Sequence, residues 1–352
     1  MIHTDSLSVE WISKVAKKHK SDPILVEKVV RALYLLEQLQ QSNLEFIFKG
    51  GTALMLLLPE PKRFSIDIDI IVSEKPKNIE TIFDHIMAHS DFIEFKENER
   101  KVNSNIEKSH YKFYYKSVTN TRAESEYILL DILYEDSHYE DNTTQIEISS
   151  LFSKSEGENI KVTVPTPEAI LGDKLTAFAP NTTGVPYGRD KEVEIIKQLF
   201  DVGHLFDRIE NVDIVAKVFN QFAQTELTYR NLQSLSPEDV LNDTLETAML
   251  IATRGQSGSG NFDELHKGIQ NIKNYIFSEK FHIESAMIPA AKAAYVSTIL
   301  KTATKEVQHF TNPKEIADWT IEQPFETRLN KLKKTSPEAF FYWYKIYELL
   351  KK

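Results

Sequence analysis

No cysteine occurs among the 352 residues, so disulfides, thiolate metal sites and a cysteine nucleophile are excluded. There is no apolar run of about 18 residues, the length a membrane span needs. The start, MIHTDSLSVEW, lacks a charged segment leading into an apolar one. The expectation is therefore no membrane span, no signal peptide and a cytoplasmic location. No serine stands in a G-x-S-x-G context, which leaves hydrolase chemistry of that kind without support. An excess of positive charge is also missing. The 52 acidic and 42 basic side chains give a net charge of −10, which argues against bulk adhesion to nucleic acid. Three local basic stretches, KVAKKHK, KSHYKFYYKS at 108–117 and NKLKKTS at 330–336, read first as solvated faces. They still leave room for nucleic acid as a substrate.

What is present suits a globular chain, with 41% apolar and 27% charged residues. The length allows two domains or one large core. Patterning changes near residue 165. Before it, helix and strand patterns mix. DPILVEKVVRALYLLEQLQQ reads as an amphipathic helix with Asp22 as N-cap and Pro23 in its first turn. LEFIF reads as a strand, TALMLLL as a helix stopped by PEPK, FSIDIDIIV as a strand and KNIETIFDHIMAHS as a helix. FIEFK, SHYKFYYKS, YILLDILYE, TQIEIS and NIKVTV read as further strands. From 166 onward the patterns are almost all helical, among them PEAILGDKLTAFA, DKEVEIIKQLFDVGHLF and IPAAKAAYVSTILKTAT. The expected organisation is α+β, with a mixed domain over 1–165 and a mostly helical one over 166–352.

The stretch KGGTALMLLLPEPKRFSIDIDII, residues 49–71, carries the chemistry. Gly50 and Gly51 permit a tight turn, and Thr52 is placed to cap the helix that follows. A helix N-terminus is an anion site, and a triphosphate would fit there. In the strand that comes next, alternation puts Ser65, Asp67, Asp69 and Ile71 on one face and Ile66, Ile68 and Ile70 on the other. Two carboxylates about 7 Å apart on one strand face repel unless a divalent cation sits between them. Asp131, inside YILLDILYED, is a third acid within an apolar strand. If its strand lies beside that of Asp67 and Asp69, three carboxylates converge on a site suited to two metals and phosphoryl or nucleotidyl transfer. Arg63 is a phosphate ligand or a turn cap, and Ser65 can bond phosphate or metal-bound water.

Other motifs weigh less. His85 and His89 in DHIMAH have zinc spacing, but no acid lies between them and no third ligand is apparent. FFYWYK near the C-terminus reads as core rather than as a base-stacking surface. RGQSGSGN at 254–261 reads as a flexible linker, because the strand–loop–helix context and the lysine of a phosphate loop are missing.

Glycine pair, helix, S-x-D-x-D strand and a later strand aspartate together resemble the polymerase-beta-like nucleotidyltransferase superfamily. More narrowly, KGGTAL followed by RFSIDIDI is similar to the AbiEii/AbiGii toxin family. The likeness continues in EAILGDKLTAF, which puts Lys174 at the family's lysine motif, and in RDKEVEIIKQLFDVGHL, which puts Asp201 at its aspartate motif. It spans about residues 45–208. The linker PNTTGVPYGRDKEVEI is long for the family, so Arg189 or Asp190 competes with Asp201. The resemblance implies a nucleotidyltransferase-type mixed sheet flanked by helices, followed by a C-terminal helical domain. It implies transfer of a nucleoside monophosphate from an NTP to an acceptor hydroxyl with two Mg²⁺ ions. Asp67 and Asp69 would hold both metals, and Asp131 would hold the catalytic one and help deprotonate the acceptor. Gly50, Gly51 and Thr52 would bind phosphates, and Lys174 would anchor them. The implied role is the toxin of a toxin–antitoxin or phage-defence pair, with a tRNA 3′ end as acceptor and an antitoxin as partner. A small-molecule acceptor of the aminoglycoside type, a protein hydroxyl and an inactive binding module are the alternatives.

Overall fold

The computed structural model describes every residue except Asn43, 99–106, Glu140 and Lys352. The chain divides into two compact units, Met1–Thr166 with Tyr275–Glu279, and Pro167–Asn274 with Lys280–Lys352.

The first unit begins with α1 (Val9–His19) and α2 (Pro23–Gln41). Asp22 caps α2 as the sequence predicts, its carboxylate accepting the Ile24 N–H at 2.9 Å. There follow β1 (Ile47–Lys49), α3 (Gly50–Leu57), β2 (Ile68–Val72), α4 (Ile79–His89), β3 (Phe92–Glu97), β4 (Glu107–Tyr115) and β5 (Glu126–Tyr134). These strands form one five-stranded mixed sheet in the order β1-β2-β5-β4-β3. β2 and β5 run parallel, and the other neighbours are antiparallel. β6 (Thr143–Glu147) and β7 (Lys161–Pro165) make a separate two-stranded sheet.

Alternation decides which face of the larger sheet is buried. Phe48, Ile68, Ile70, Phe113, Tyr115, Leu130 and Ile132 all enter one hydrophobic core with residues of α2 and α4. Phe83 of α4 plugs that core edge-on against Tyr111 and Phe113, with ring centroids 4.8 and 5.1 Å away. The opposite face carries Asp69, Asp131, His110 and Lys112, all only partly buried. Glu27 of α2 is fully buried because it is satisfied. It accepts from the Ser117 hydroxyl at 2.7 Å and from the Val118 and Thr119 N–H groups at 2.9 and 3.1 Å, fastening the start of the β4–β5 connection.

The second unit is built from α5 (Pro167–Ala177), α6 (Glu192–Phe206), α7 (Val212–Tyr229), α8 (Pro237–Ala252), α9 (Phe262–Asn271), α10 (Ile283–Lys301), α11 (Leu332–Thr335) and α12 (Pro337–Leu350). α10 departs from the helix start at Ile288 implied by its sequence pattern. It begins at Ile283 and runs through Pro289, which packs on Gly203 of α6 where any Cβ would collide with it. The 254–261 segment is not a loose linker either. A Cβ on Gly258 would run into the Glu246 carbonyl, so the loop is packed onto α8. The aromatic run in α12 is core, with Phe340, Phe341, Tyr342 and Trp343 buried.

Asp243 of α8 is the polar anchor of this unit. Its carboxylate accepts from the Asn181 N–H at 2.8 Å, the Asn181 amide at 2.6 Å, Thr182 at 2.9 Å and Thr247 at 3.2 Å. Burial pushes its pKa up, and those four donors oppose the shift. Replacement by alanine leaves the Asn181 N–H without its acceptor in a buried setting, so Asp243→Ala is expected to lower stability by about 2–4 kcal/mol. Urea unfolding checks this through a lower midpoint at unchanged m-value.

Candidate active site

The strand–helix junction is where the glycines act. Gly50 sits at φ +79°, and a Cβ there would strike the Asp69 carboxylate. A Cβ on Gly51 would lie 2.6 Å from the Ser65 hydroxyl and 2.8 Å from the Arg63 guanidinium. Bare backbone at these two positions therefore lets the N-terminus of α3 close onto Asp69, Ser65 and Arg63. The N-cap of α3 is Lys49, which makes no side-chain capping bond. The first turn of α3 is the positive end of the helix and suits an anion. Arg63 lies beside them, 6% exposed, its guanidinium donating to the Phe64 carbonyl at 2.9 Å.

Two sequence-based expectations change here. Thr52 does not cap the helix, because α3 already starts at Gly50; its hydroxyl instead donates to the Asp67 carbonyl at 2.6 Å. Ser65 and Asp67 precede β2, which begins only at Ile68. Asp67 is exposed and Asp69 partly buried, so neither carboxylate carries the full cost of burial.

The parallel pairing of β2 and β5 sets Asp69 directly opposite Asp131. Neighbouring strands lie about 4.8 Å apart, so the two carboxylates share one face as immediate neighbours. On the other flank of β5, His110 of β4 stands opposite Asp131 and its Nδ1 lies 2.7 Å from the carboxylate. His110 was not singled out from the sequence. Its only signal there is a polar position in an alternating strand, and which residue it faces depends on register between strands. Beyond Ile71 the same face leads to a cavity of about 550 Å³, lined in part by Ile47, Ile71, Ser73 and Glu135.

Among the described residues, no three His, Asp or Glu side chains stand close enough to enclose a metal ion. The donor chemistry nevertheless fits Mg²⁺, which prefers oxygen and is bound by one or two carboxylates together with waters and substrate phosphates. Asp69 and Asp131 supply such a pair, with Asp67 two residues upstream. His85 and His89 stack on each other at 4.2 Å, and His89 Nδ1 lies 2.9 Å from the His85 carbonyl.

Lys174 and Asp201 meet within the second unit. The Lys174 ammonium lies 3.1 Å from the Asp201 carboxylate and donates to the Gln198 side chain at 2.8 Å. Both residues are nearly buried, 8% and 5% exposed. α5 and α6 thus bring together the two residues that the sequence motifs single out. Asp190 lies outside α6, at a positive φ of 53°.

The sequence matches the family described as nucleotidyl transferase AbiEii toxin, type IV toxin–antitoxin system, over residues 31–266, two thirds of the chain. No curated protein matches at a significant level. Solved structures with some similarity to this chain include JHP933 from Helicobacter pylori, 15% identical at a TM-score of 0.45, covering 79% of this chain and 95% of that one. A putative nucleotidyltransferase from H. pylori is 18% identical at 0.43, covering 80% and 97%. MenT4, a nucleotidyltransferase toxin from Mycobacterium tuberculosis, is 11% identical at 0.45, covering 82% and 89%.

Three variants probe this geometry. Gly50→Ala forces a side chain into a left-handed backbone at about 1–2 kcal/mol and displaces Asp69; chemical denaturation should register at least that loss. Asp201→Ala strands a buried ammonium and should cost about 3–5 kcal/mol. Lys174→Met with Asp201→Leu should recover most of this in the same measurement.

Proposed function

Because this chain belongs to the AbiEii family of nucleotidyltransferase toxins, we propose that it transfers a nucleoside monophosphate from an NTP to the 3′ hydroxyl of a tRNA. The observation that carries this reading is the in-register pair Asp69–Asp131 beside the glycine-built N-terminus of α3. An antitoxin is the partner expected of a chain in this family, and phage defence is the proposed setting.

In the proposed reaction the acceptor oxygen bonds to the α-phosphorus while the bond from that phosphorus to the bridging oxygen breaks, and pyrophosphate leaves. The first-turn N–H groups of α3 and the Arg63 guanidinium bind the phosphates, supplying fixed positive charge where negative charge accumulates. Asp131 accepts the proton of the acceptor hydroxyl, held in orientation by His110. Asp69 and Asp131, with Asp67, would hold Mg²⁺, which supplies Lewis-acid neutralisation of the phosphate oxygens. We assign Lys174 the phosphate-anchoring charge that the motif implies, with Asp201 and Gln198 keeping its ammonium oriented.

Incubation with each labelled NTP, Mg²⁺ and total RNA tests the reading. Label should enter tRNA, and Asp69→Ala should reduce it by at least about 100-fold. Label in a small molecule or protein instead would overturn the acceptor, and no transfer with any NTP would overturn the reaction. His110→Ala removes an orienting partner and not a reacting group, so kcat should fall about 10- to 100-fold with KM for the NTP little changed. An unchanged kcat would show that Asp131 needs no such support.

A further inference from the structure

The open face of the large sheet bears more than carboxylates. Tyr114 of β4 stands opposite Tyr127 of β5, as His110 stands opposite Asp131, and Lys96 of β3 stands opposite Lys112. Alternation places all of these on the face of Asp69 and Asp131. The Tyr114 and Tyr127 rings have centroids 5.8 Å apart, and Tyr127 is 39% exposed. Neither ring is needed by the hydrophobic core, which occupies the other face.

Cations surround the pair. The Lys112 ammonium is 4.5 Å from the Tyr127 ring centroid, Lys28 is 5.6 Å from it, and Lys96 is 5.4 Å from that of Tyr114. Lys108, one alternation beyond His110, is exposed. Glu94 pairs with Lys96 and Glu126 with Lys28, each at 2.9 Å, which holds those lysines in place while cancelling part of their charge. Glu27 fixes the connection just past Tyr115, so the surface is preorganised.

Flat rings edged by cations on an open strand face match the chemistry of an unpaired nucleic-acid strand, whose bases stack and whose phosphates need neutralising. We propose that this face docks the acceptor as a single-stranded 3′ tail. Its bases stack on Tyr114 and Tyr127, its backbone runs along Lys96 and Lys112, and its terminal hydroxyl reaches Asp131. The four residue steps from Tyr127 to Asp131 span about 13 Å, room for roughly four stacked nucleotides. The inference rests on the nucleotidyl-transfer reading and adds to it where and in what form the acceptor binds.

Fluorescence anisotropy without NTP tests the docking alone. The probe is an RNA of about eight nucleotides, within the usual site size, offered single-stranded and as a blunt duplex. The single strand should bind more tightly. Tyr114→Ala with Tyr127→Ala should weaken it roughly 10- to 100-fold at unchanged melting temperature, and Lys112→Gln should lower the salt slope by about one ion. In turnover, the double tyrosine variant should raise KM for RNA and leave kcat at saturation unchanged. Equal binding by variant and wild type, equal binding of duplex, or no binding at all overturns the docking face. So does loss of antitoxin binding with RNA binding intact. If RNA binding fails while a small molecule is still labelled equally by both proteins, the transfer reading stands and this inference falls. If the wild type transfers nothing while RNA binding still depends on the tyrosines, the docking face is supported and the catalytic reading falls.

Discussion

Everything at the site depends on one pairing, the parallel ladder between β2 and β5. It sets Ile68 opposite Leu130 and Ile70 opposite Ile132, all buried, and so sets Asp69 opposite Asp131. A slip of one residue would turn the isoleucines to water and the aspartate into the core, which neither side of the sheet tolerates. The hydrophobic face thereby acts as the register device for the acidic one. Charges that must approach each other are held together by side chains that never touch them.

The two units treat their charges differently. Around Asp69 and Asp131 the carboxylates stay partly exposed, and Gly50 makes room for one of them against a helix end. Such a surface is hydrated and available, and a ligand that brings its own positive charge meets little desolvation cost. Lys174 and Asp201 are nearly buried against each other, and Asp243 is buried among four donors. Those groups find their polar partners within the protein itself.

Much of this could be read along the chain. The helix start at Asp22, the alternation of YILLDILYE, and the motifs carrying Asp69, Asp131 and Lys174 are local signals, because hydrophobic period and capping chemistry act over a few residues. Errors arose where local and tertiary signals disagree. Thr52 looks like a cap by composition, yet Gly50 at positive φ lets the helix begin two residues earlier. Ser65 and Asp67 continue a strand-like alternation, yet β2 begins only at Ile68, as the chain leaves the segment that Arg63 and the α3 N-terminus hold. Pro289 looks like a helix start, yet packing against Gly203 lets α10 run through it.

By itself the sequence determined the kinds of chemistry available: no thiols, an acidic strand, a glycine pair, a lysine on a helix. It also determined which face of each strand would be apolar, because alternation is a property of the extended backbone. Only the tertiary structure decided who faces whom. That Asp131 meets Asp69 on one side and His110 on the other, and that Tyr114 lies beside Tyr127, follows from pairing strands far apart in the chain. Such pairing is set by the summed burial of the whole sheet, and no local pattern encodes it.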